Sequence, residues 1–233
     1  MDFPQINQKK SITDQAYEIL RSEILTCRLQ PGSQIAQNQL VEQFDLGLTP
    51  VREALKRLEM EGFVQSIPRF GYIITPITTK DIEEIFELRL ILETAAAKLA
   101  TKRASDEMLA MLVKNATFSY QYHDTQSYAD FLEQNKMFHI TIALLARNQH
   151  MADILANLLD KSQRMFHAGL ELRDSSDEMQ HEHTELVDAM IARDADRAAE
   201  ICEEQIINSS RRIFEMLQNR QDRNASLISY LGQ

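Results

Sequence analysis

Four cations stand close together in an otherwise acidic chain: Arg52, Lys56, Arg57 and Arg69 fall within eighteen residues. Arginine and lysine neutralise phosphate, and an arginine fork can also bond two acceptors on the edge of a guanine, so such a cluster suits a nucleic acid. It could equally be a solvated helix of mixed charge, with Arg52 held as a scaffold partner of Glu53 or Glu59. Arg52 and Lys56 are four apart and share a helix face, whereas Arg52 and Arg57 are five apart and need not reach the same base pair. Enzymatic chemistry finds less to work with. There is no H-E-x-x-H, no nucleophile elbow, no glycine-rich phosphate loop and no C-x-x-C. Cys27 and Cys202 lie far apart in no metal-ligand spacing. They read as free thiols of a reducing compartment, so a cytoplasmic protein is expected.

The composition bounds what can carry these groups. The chain has 233 residues, 44% of them hydrophobic and 26% charged, which is enough for one or two globular domains. Six Gly and five Pro exclude a collagen-like or Pro/Gly-rich disordered chain and argue against a many-turned β sandwich. The longest apolar stretch, Ile140 to Ala146, falls far short of the ~18 residues of a membrane span. The start, Met1-Asp2-Phe3-Pro4-Gln5, lacks the basic and apolar regions of a secretion signal. A net charge of −10 would discourage nucleic-acid binding, but residues 1–75 hold eight Lys/Arg against nine Asp/Glu, so nearly all the excess lies beyond them. A phosphate backbone feels the local field.

Residues 12–27 place Ala16, Ile19, Leu20, Ile24 and Leu25 at helical spacing, with Ser11 or Thr13 as cap. Pro31-Gly32 makes a turn, and Gln37–Phe44 forms a second helix with Leu40 and Phe44 inward. Asp45-Leu46-Gly47-Leu48 breaks it. Thr49-Pro50 is a start signal, a hydroxyl cap before proline at the first helical position, for a third helix reaching Met60 and burying Val51, Ala54, Leu55 and Leu58. Gly62 ends it, and residues 63–67 and 72–75 form a hairpin around Pro68-Arg69-Phe70-Gly71. Three helices and a hairpin make a winged helix-turn-helix, whose third helix can lie in a major groove while the wing reaches the adjacent backbone. Beyond Thr78 only helices are expected. The first is Thr79–Arg103, with Ile82, Ile85, Phe86, Leu88, Leu92, Ala96 and Leu99 on its apolar face. Then follow Ser105–His123, Gln126–Arg147, Met151–Leu172, Ser176–Arg193 and Asp194–Gln221, and a frayed or swapped tail over residues 222–233. Short loops favour an antiparallel bundle. The expected fold is mainly α: a winged helix-turn-helix over residues 8–77 and an antiparallel all-helical bundle over residues 78–222.

The stretch from about residue 11 to 78 resembles the DNA-binding domain of GntR-type bacterial repressors. The Pro31-Gly32 turn, Thr49-Pro50-Val51-Arg52-Glu53-Ala54-Leu55, Glu59-x-Glu61-Gly62 and the wing Gly71 carry the likeness. Where the family commonly has Ser-Arg before Thr-Pro, this chain has Gly47-Leu48, so an arginine is missing and a different operator is expected. Arg52 is similar to the arginine the family points at its operator. The resemblance implies Asn38, Leu48, Thr49, Arg52, Lys56, Arg57, Arg69 and Gly71 as the DNA-facing set.

The remainder resembles the helical FCD ligand-binding domain of the FadR branch, through Arg89-Leu90-Ile91-Leu92-Glu93, Phe138-His139, Glu182-His183, and Asp194 with Ala198-Ala199. Many such domains hold a divalent metal on an Asp, a His four residues later and two further His. The positions that correspond here are Asn135, His139, His183 and Gln205, two of them amides. Amide oxygens are weak donors, and the carboxylate that would offset a dication is gone. Three readings stay open: a polar site that binds the effector directly, a weak zinc or nickel site on His139 and His183, or satisfied buried polar groups without a ligand. Arg89 could take an effector's carboxylate or pair with Glu93 four residues on. His123, His150, His167 and His181 lie outside the matched positions and are expected at the surface or in packing. The resemblance implies a ligand-responsive regulator, a homodimer on a palindromic double-stranded DNA operator, released by a small metabolite such as an organic acid. No membrane partner is expected. The rival is a helical metalloenzyme using His139 and His183.

Overall fold

The computed structural model describes residues 11–231 apart from 115, 122–123 and 170–175, with side chains left undescribed at 125, 169, 176 and 216–231. The chain divides at Ile77/Thr78 into two compact units. Among the described residues no helix is long and apolar enough to cross a membrane.

In the first unit α1 (Ile12–Leu25) is capped by Ser11, whose Oγ accepts from the Asp14 N–H at 3.0 Å. After the turn at Pro31-Gly32 come β1 (Gln34–Ile35), α2 (Gln37–Phe44), α3 (Leu48–Met60), β2 (Val64–Ile67) and β3 (Gly71–Ile74). Gln39 accepts from the Ala36 N–H at 3.1 Å and so closes the start of α2, and Asp45, in the left-handed region at φ 50°, ends it. Helix α3 begins one residue before Thr49, with Gly47 at its cap and no side-chain cap bond. Pro50 therefore sits within the first turn, where no intrahelical donor is needed, and the Thr49 hydroxyl is left exposed. Helices α1, α2 and α3 close on Leu20, Ile24, Leu40, Val51, Leu55 and Leu58, each at most 1% exposed, with Phe63, Val64 and Ile74 below them. Ile19, expected inward, is exposed, and Tyr17 takes its place in the core.

The hairpin is one strand short of the sheet that forms. Gln34 and Ile35 pair antiparallel with Ile73 and Tyr72, which gives the order β1-β3-β2. A two-residue strand carries no periodicity of its own, so only the tertiary pairing reveals it. That pairing explains Gly71. Its φ is +97°, and a Cβ there would stand 2.6 Å from the Ile35 carbonyl oxygen, so the glycine serves the sheet itself. Gly71→Ala is expected to cost the unit about 1–3 kcal/mol through strain and the clash. In a thermal scan the transition of this unit should fall by several degrees; a midpoint within one degree of wild type would show that the wing tolerates the side chain.

The second unit is α4 (Thr79–Arg103), α5 (Asp106–Lys114), α6 (Thr125–Leu145), α7 (Gln149–Gly169), α8 (Ser176–Ile191) and α9 (Ala195–Leu231). Helix α4 opens with a reciprocal cap: Thr78 Oγ1 accepts from the Asp81 N–H at 3.1 Å, and Asp81 Oδ2 accepts from the Thr78 N–H at 2.9 Å. At its other end Arg193 donates to the carbonyls of Thr101 (2.7 Å) and Ala104 (2.8 Å), placing a cation on the negative end of the helix.

Three expectations are revised here. The helix projected over Ser105–His123 stops at Lys114, because Phe118 turns inward and packs on Phe131 at 5.2 Å between ring centres. The tail expected beyond residue 221 continues α9 as helix to Leu231. On α4 Leu88 is exposed, whereas Arg89 and Glu93 lie on the buried face.

Candidate functional sites: a DNA-facing helix and a buried polar cluster

Burial of Val51, Ala54, Leu55 and Leu58 turns the opposite face of α3 outward. Leu48 (51% exposed), Thr49, Arg52 (side chain 52% exposed) and Lys56 occupy it. Arg52 and Lys56 flank Glu53 at 3.7 and 3.2 Å, loose surface contacts that leave both cations available. Of the two accounts of Arg52, the scaffold pairing exists only in this weak form. Asn38 is exposed on α2.

Arg57, half exposed, also packs within the unit. Its guanidinium lies 3.6 Å above the Tyr17 ring, 3.4 Å from Glu61 and 3.7 Å from Asp14, so it ties α3 to α1. Tyr17 donates to Glu61 Oε2 at 2.8 Å, and burial together with that bond pushes its hydroxyl pKa up to about 12. In the wing, Arg69 is exposed at the turn with φ 71°, beside Phe70 at 68% exposure. Phe70 was placed in the turn but not singled out as a contact residue.

In the helical unit the matched positions are brought together. Glu93 on α4 is the centre: Arg89 Nε donates to its Oε1 at 2.7 Å, and His139 Nδ1 of α6 stands 2.7 Å from its Oε2. The His139 and His183 rings are 5.4 Å apart, and Phe118 and Phe138 close over His183 at 5.1 and 4.5 Å. Gln205 on α9 donates through Nε2 to the Glu182 carbonyl of α8. Asn135 Oδ1, His183 Nδ1 and Gln205 Oε1 are buried and find no hydrogen-bond partner among the described residues. Arg89, only 2% exposed, is paired to Glu93, which favours the ion-pair account over a free binder of carboxylates. Beside Arg89, Asn135 and Gln163 the interior leaves a cavity of about 10 Å³, room for a single water.

These donors suit a tightly held divalent metal poorly. Two imidazoles face two neutral amides, and the carboxylate in reach, Glu93, already serves Arg89 and His139. Among the described residues no three His, Cys, Asp or Glu side chains are grouped to hold an ion.

Burial alone would raise the Glu93 carboxyl, but Arg89 and then His139 outweigh it and hold its pKa down at about 2. Burial, then the charges of His139 and Arg212, keep the His183 imidazole well below its ordinary 6.5. In the unfolded chain His183 takes up a proton near pH 6.5, whereas in the folded chain it stays neutral. Below that pH the unfolded state binds more protons and stability falls; Glu93 adds a further loss from about pH 4.5 towards 2. Thermal midpoints of the helical unit should therefore drop from pH 8 to pH 5, and the drop should shrink in His183→Phe. A profile that is flat, or that rises towards pH 5, contradicts the burial of a neutral imidazole.

Other members of the cluster escaped the sequence reading. Lys136 reaches Asp160 of α7 at 3.2 Å, Arg212 of α9 pairs with Glu182 at 3.0 Å, and Gln163 and Arg164 are buried on α7. The signal was present on α9, where Gln205, Ser209 and Arg212 recur at helical spacing along a buried stripe. Of the remaining histidines, His150 and His181 are exposed and His167 packs edge-on against Tyr128 at 5.6 Å; His123 lies outside the described residues.

Comparison with known proteins agrees with this two-part arrangement. Residues 12–74 match the family "Bacterial regulatory proteins, gntR family", and residues 84–208 match the FCD domain. The chain is 30% identical over 145 residues to the HTH-type transcriptional regulator YdhC of Bacillus subtilis, covering 62% of this chain and 65% of the relative. It is 26% identical over 154 residues to the HTH-type transcriptional repressor RspR of Escherichia coli, covering 66% of this chain and 68% of the relative. It thus spans about two thirds of the length of each. The fold is shared with E. coli McbR/YncC, at a TM-score of 0.72 and 20% identity over 90% of this chain and 100% of the other. The families and relatives are transcriptional regulators, which sets the metalloenzyme reading aside. The chain belongs to the gntR family of bacterial regulatory proteins, with a winged helix-turn-helix at its N-terminal end followed by an FCD domain.

Proposed function

We propose that the protein is a ligand-responsive transcriptional repressor that grips a palindromic operator as a homodimer and releases it when a small molecule occupies the helical unit. The observation that carries this reading is the outward face of α3. Leu48, Thr49, Arg52 and Lys56 stand on one side of a helix whose other side is locked into an apolar core, with Asn38 and the wing's Arg69 as further contacts. Such a face can read base edges while its cations meet phosphates.

Two features support the finer points. Leu88 and Ile91, three apart on α4, are both exposed, and an apolar pair of this kind suits a second copy of the chain. The buried polar cluster holds unpaired atoms that a ligand could satisfy, Asn135 Oδ1, His183 Nδ1 and Gln205 Oε1 among them, and a difference of a few kcal/mol between conformers would suffice to release DNA. Repression is the sign found in the relative RspR.

The test is a gel shift with the DNA flanking the protein's own gene, across a salt series. Specific retardation that weakens steeply with salt supports the reading. Absence of specific binding at low salt would overturn it.

A further inference from the structure

We propose that Phe70, at the tip of the wing, is a wedge for the minor groove next to the α3 contact, so that the base-pair step beneath it becomes part of what the protein recognises. This deepens the operator-binding reading above and rests on it.

The wing is built to hold a side chain out. Val64 pairs with Ile74 at its base, where both are at most 1% exposed, and Ile67 pairs with Gly71 at its far end. Phe70 lies beyond that last pair, 68% exposed, outside the apolar core of the unit and the residues packed on it. Its N–H donates to the Ile67 carbonyl at 3.0 Å and closes the turn Ile67-Pro68-Arg69-Phe70. Proline at the second position and a φ of 71° at the third mark a type II turn. That third position suits glycine, because a Cβ is strained there, yet it holds Arg69. A strained arginine beside an exposed aromatic ring, neither with a side-chain partner among the described residues, disfavours the fold and points to a partner outside it.

Position and charge make that partner duplex DNA. Ser66 N–H donates to Glu59 Oε1 at 2.9 Å, which ties the wing to the C-terminal half of α3. Gly71 packs against the Ile35 carbonyl and fixes the other strand. From this base β2 extends over four residues, a rise of roughly 13 Å. With the outward face of α3 in a major groove, a tip carried that far to one side meets the neighbouring minor groove. That groove, about 6 Å wide, admits side chains but no helix, and where it is narrow its negative potential attracts arginine. Proteins that kink DNA from this side insert an apolar group such as a phenyl ring between two bases, most readily at pyrimidine–purine steps, which unstack easily. Arg69 supplies the cation and Phe70 the wedge. Recognition of this kind depends on how the step deforms, so it supplements the base-edge contacts of Arg52.

The experiment uses the full chain and a duplex footprinted within the DNA flanking its own gene, with copies in which each step beside the α3 contact is changed in turn to TA or GG. At the step facing the wing, wild type should prefer TA over GG by roughly tenfold, the scale of one altered base pair. Phe70→Ala should lose that preference while its Tm stays within about two degrees of wild type, as for other exposed positions. Phe70→Leu, still a wedge, should keep most of the preference. Arg69→Gly should hold or raise the Tm, because the turn relaxes, and lower the salt slope by about one. A Phe70→Ala protein that still prefers TA, or a wild type with no preference at any step, overturns the wedge. So does a Tm several degrees lower in Phe70→Ala or Arg69→Gly, which makes the tip structural. Wild type that retards no flanking DNA at low salt overturns the operator-binding reading along with the wedge. Wild type that binds specifically and is matched by Phe70→Ala overturns the wedge alone.

Discussion

Arg52→Ala should reduce affinity for the specific operator by roughly 5- to 150-fold per half-site, corresponding to about 1–3 kcal/mol for one bidentate arginine–guanine contact. The proposed homodimer would present the residue twice, so the loss in free energy would double for the whole operator. The argument rests on placement. Val51, one residue away, is fully buried, and the core it joins fixes the direction in which Arg52 leaves α3. Its neighbour Glu53 stands at 3.7 Å, too loose and too exposed to hold the guanidinium back. Non-specific affinity and the salt slope should change far less, because phosphate contacts elsewhere persist. Arg52→Lys should rescue little, since an ammonium keeps the charge but loses the two-pronged geometry. Lys56→Ala should do the reverse, lowering the salt slope by about one while leaving sequence preference intact. Titrating operator and scrambled DNA at three salt concentrations separates the two. Equal losses on both DNAs for Arg52→Ala would remove it from base reading and make it another phosphate anchor.

The largest expected effect on stability is at Glu93. Glu93→Gln leaves Arg89, 2% exposed, without the carboxylate that now stands 2.7 Å from its Nε, and takes from His139 its charged partner. Breaking a buried pair from one side typically costs 3–5 kcal/mol, because the surviving charge is stranded in a poorly polarisable interior. For a unit of this size the corresponding fall in Tm is roughly 6–20 °C. The double variant Arg89→Met/Glu93→Gln should recover most of it, since no stranded cation remains, and the cycle of four proteins gives the coupling directly. A Glu93→Gln midpoint close to wild type, with no coupling in the cycle, would show that water reaches Arg89 and that the cluster is not the closed interior described here.

How far the chain alone discloses this depends on the range of the interactions concerned. The DNA-binding unit was legible almost residue by residue. Its helices obey a 3.6-residue apolar rhythm, its turns are marked by Pro31-Gly32 and Gly62, and four of its basic residues fall within eighteen positions. What was not visible there is non-local. Arg57 packs on Tyr17, forty residues earlier, and Gly71 meets a packing requirement of a strand pair whose partner, Ile35, is nearly as remote.

In the helical unit the periodicity correctly announced helices, and α4 runs over the span read from the chain, Thr79–Arg103. Periodicity did not say which polar residues go inside. Arg89 and Leu88 are adjacent, and hydrophobicity favours burying the leucine; the interior takes the arginine because Glu93, one turn on, neutralises it and His139 from α6 completes the set. The loop carrying Phe118 was likewise hidden, since its inward turn is settled by Phe131, Phe138 and His183 on two other helices.

The chain by itself determined most of the helices and their order, the wing hairpin, the family and the outward face of α3, because caps, breakers and apolar spacing act within a few residues. Only the tertiary structure decided which charges are buried and matched, and where acceptors are left without donors. Desolvation and pairing depend on groups that meet from distant helices, and no local pattern records the meeting.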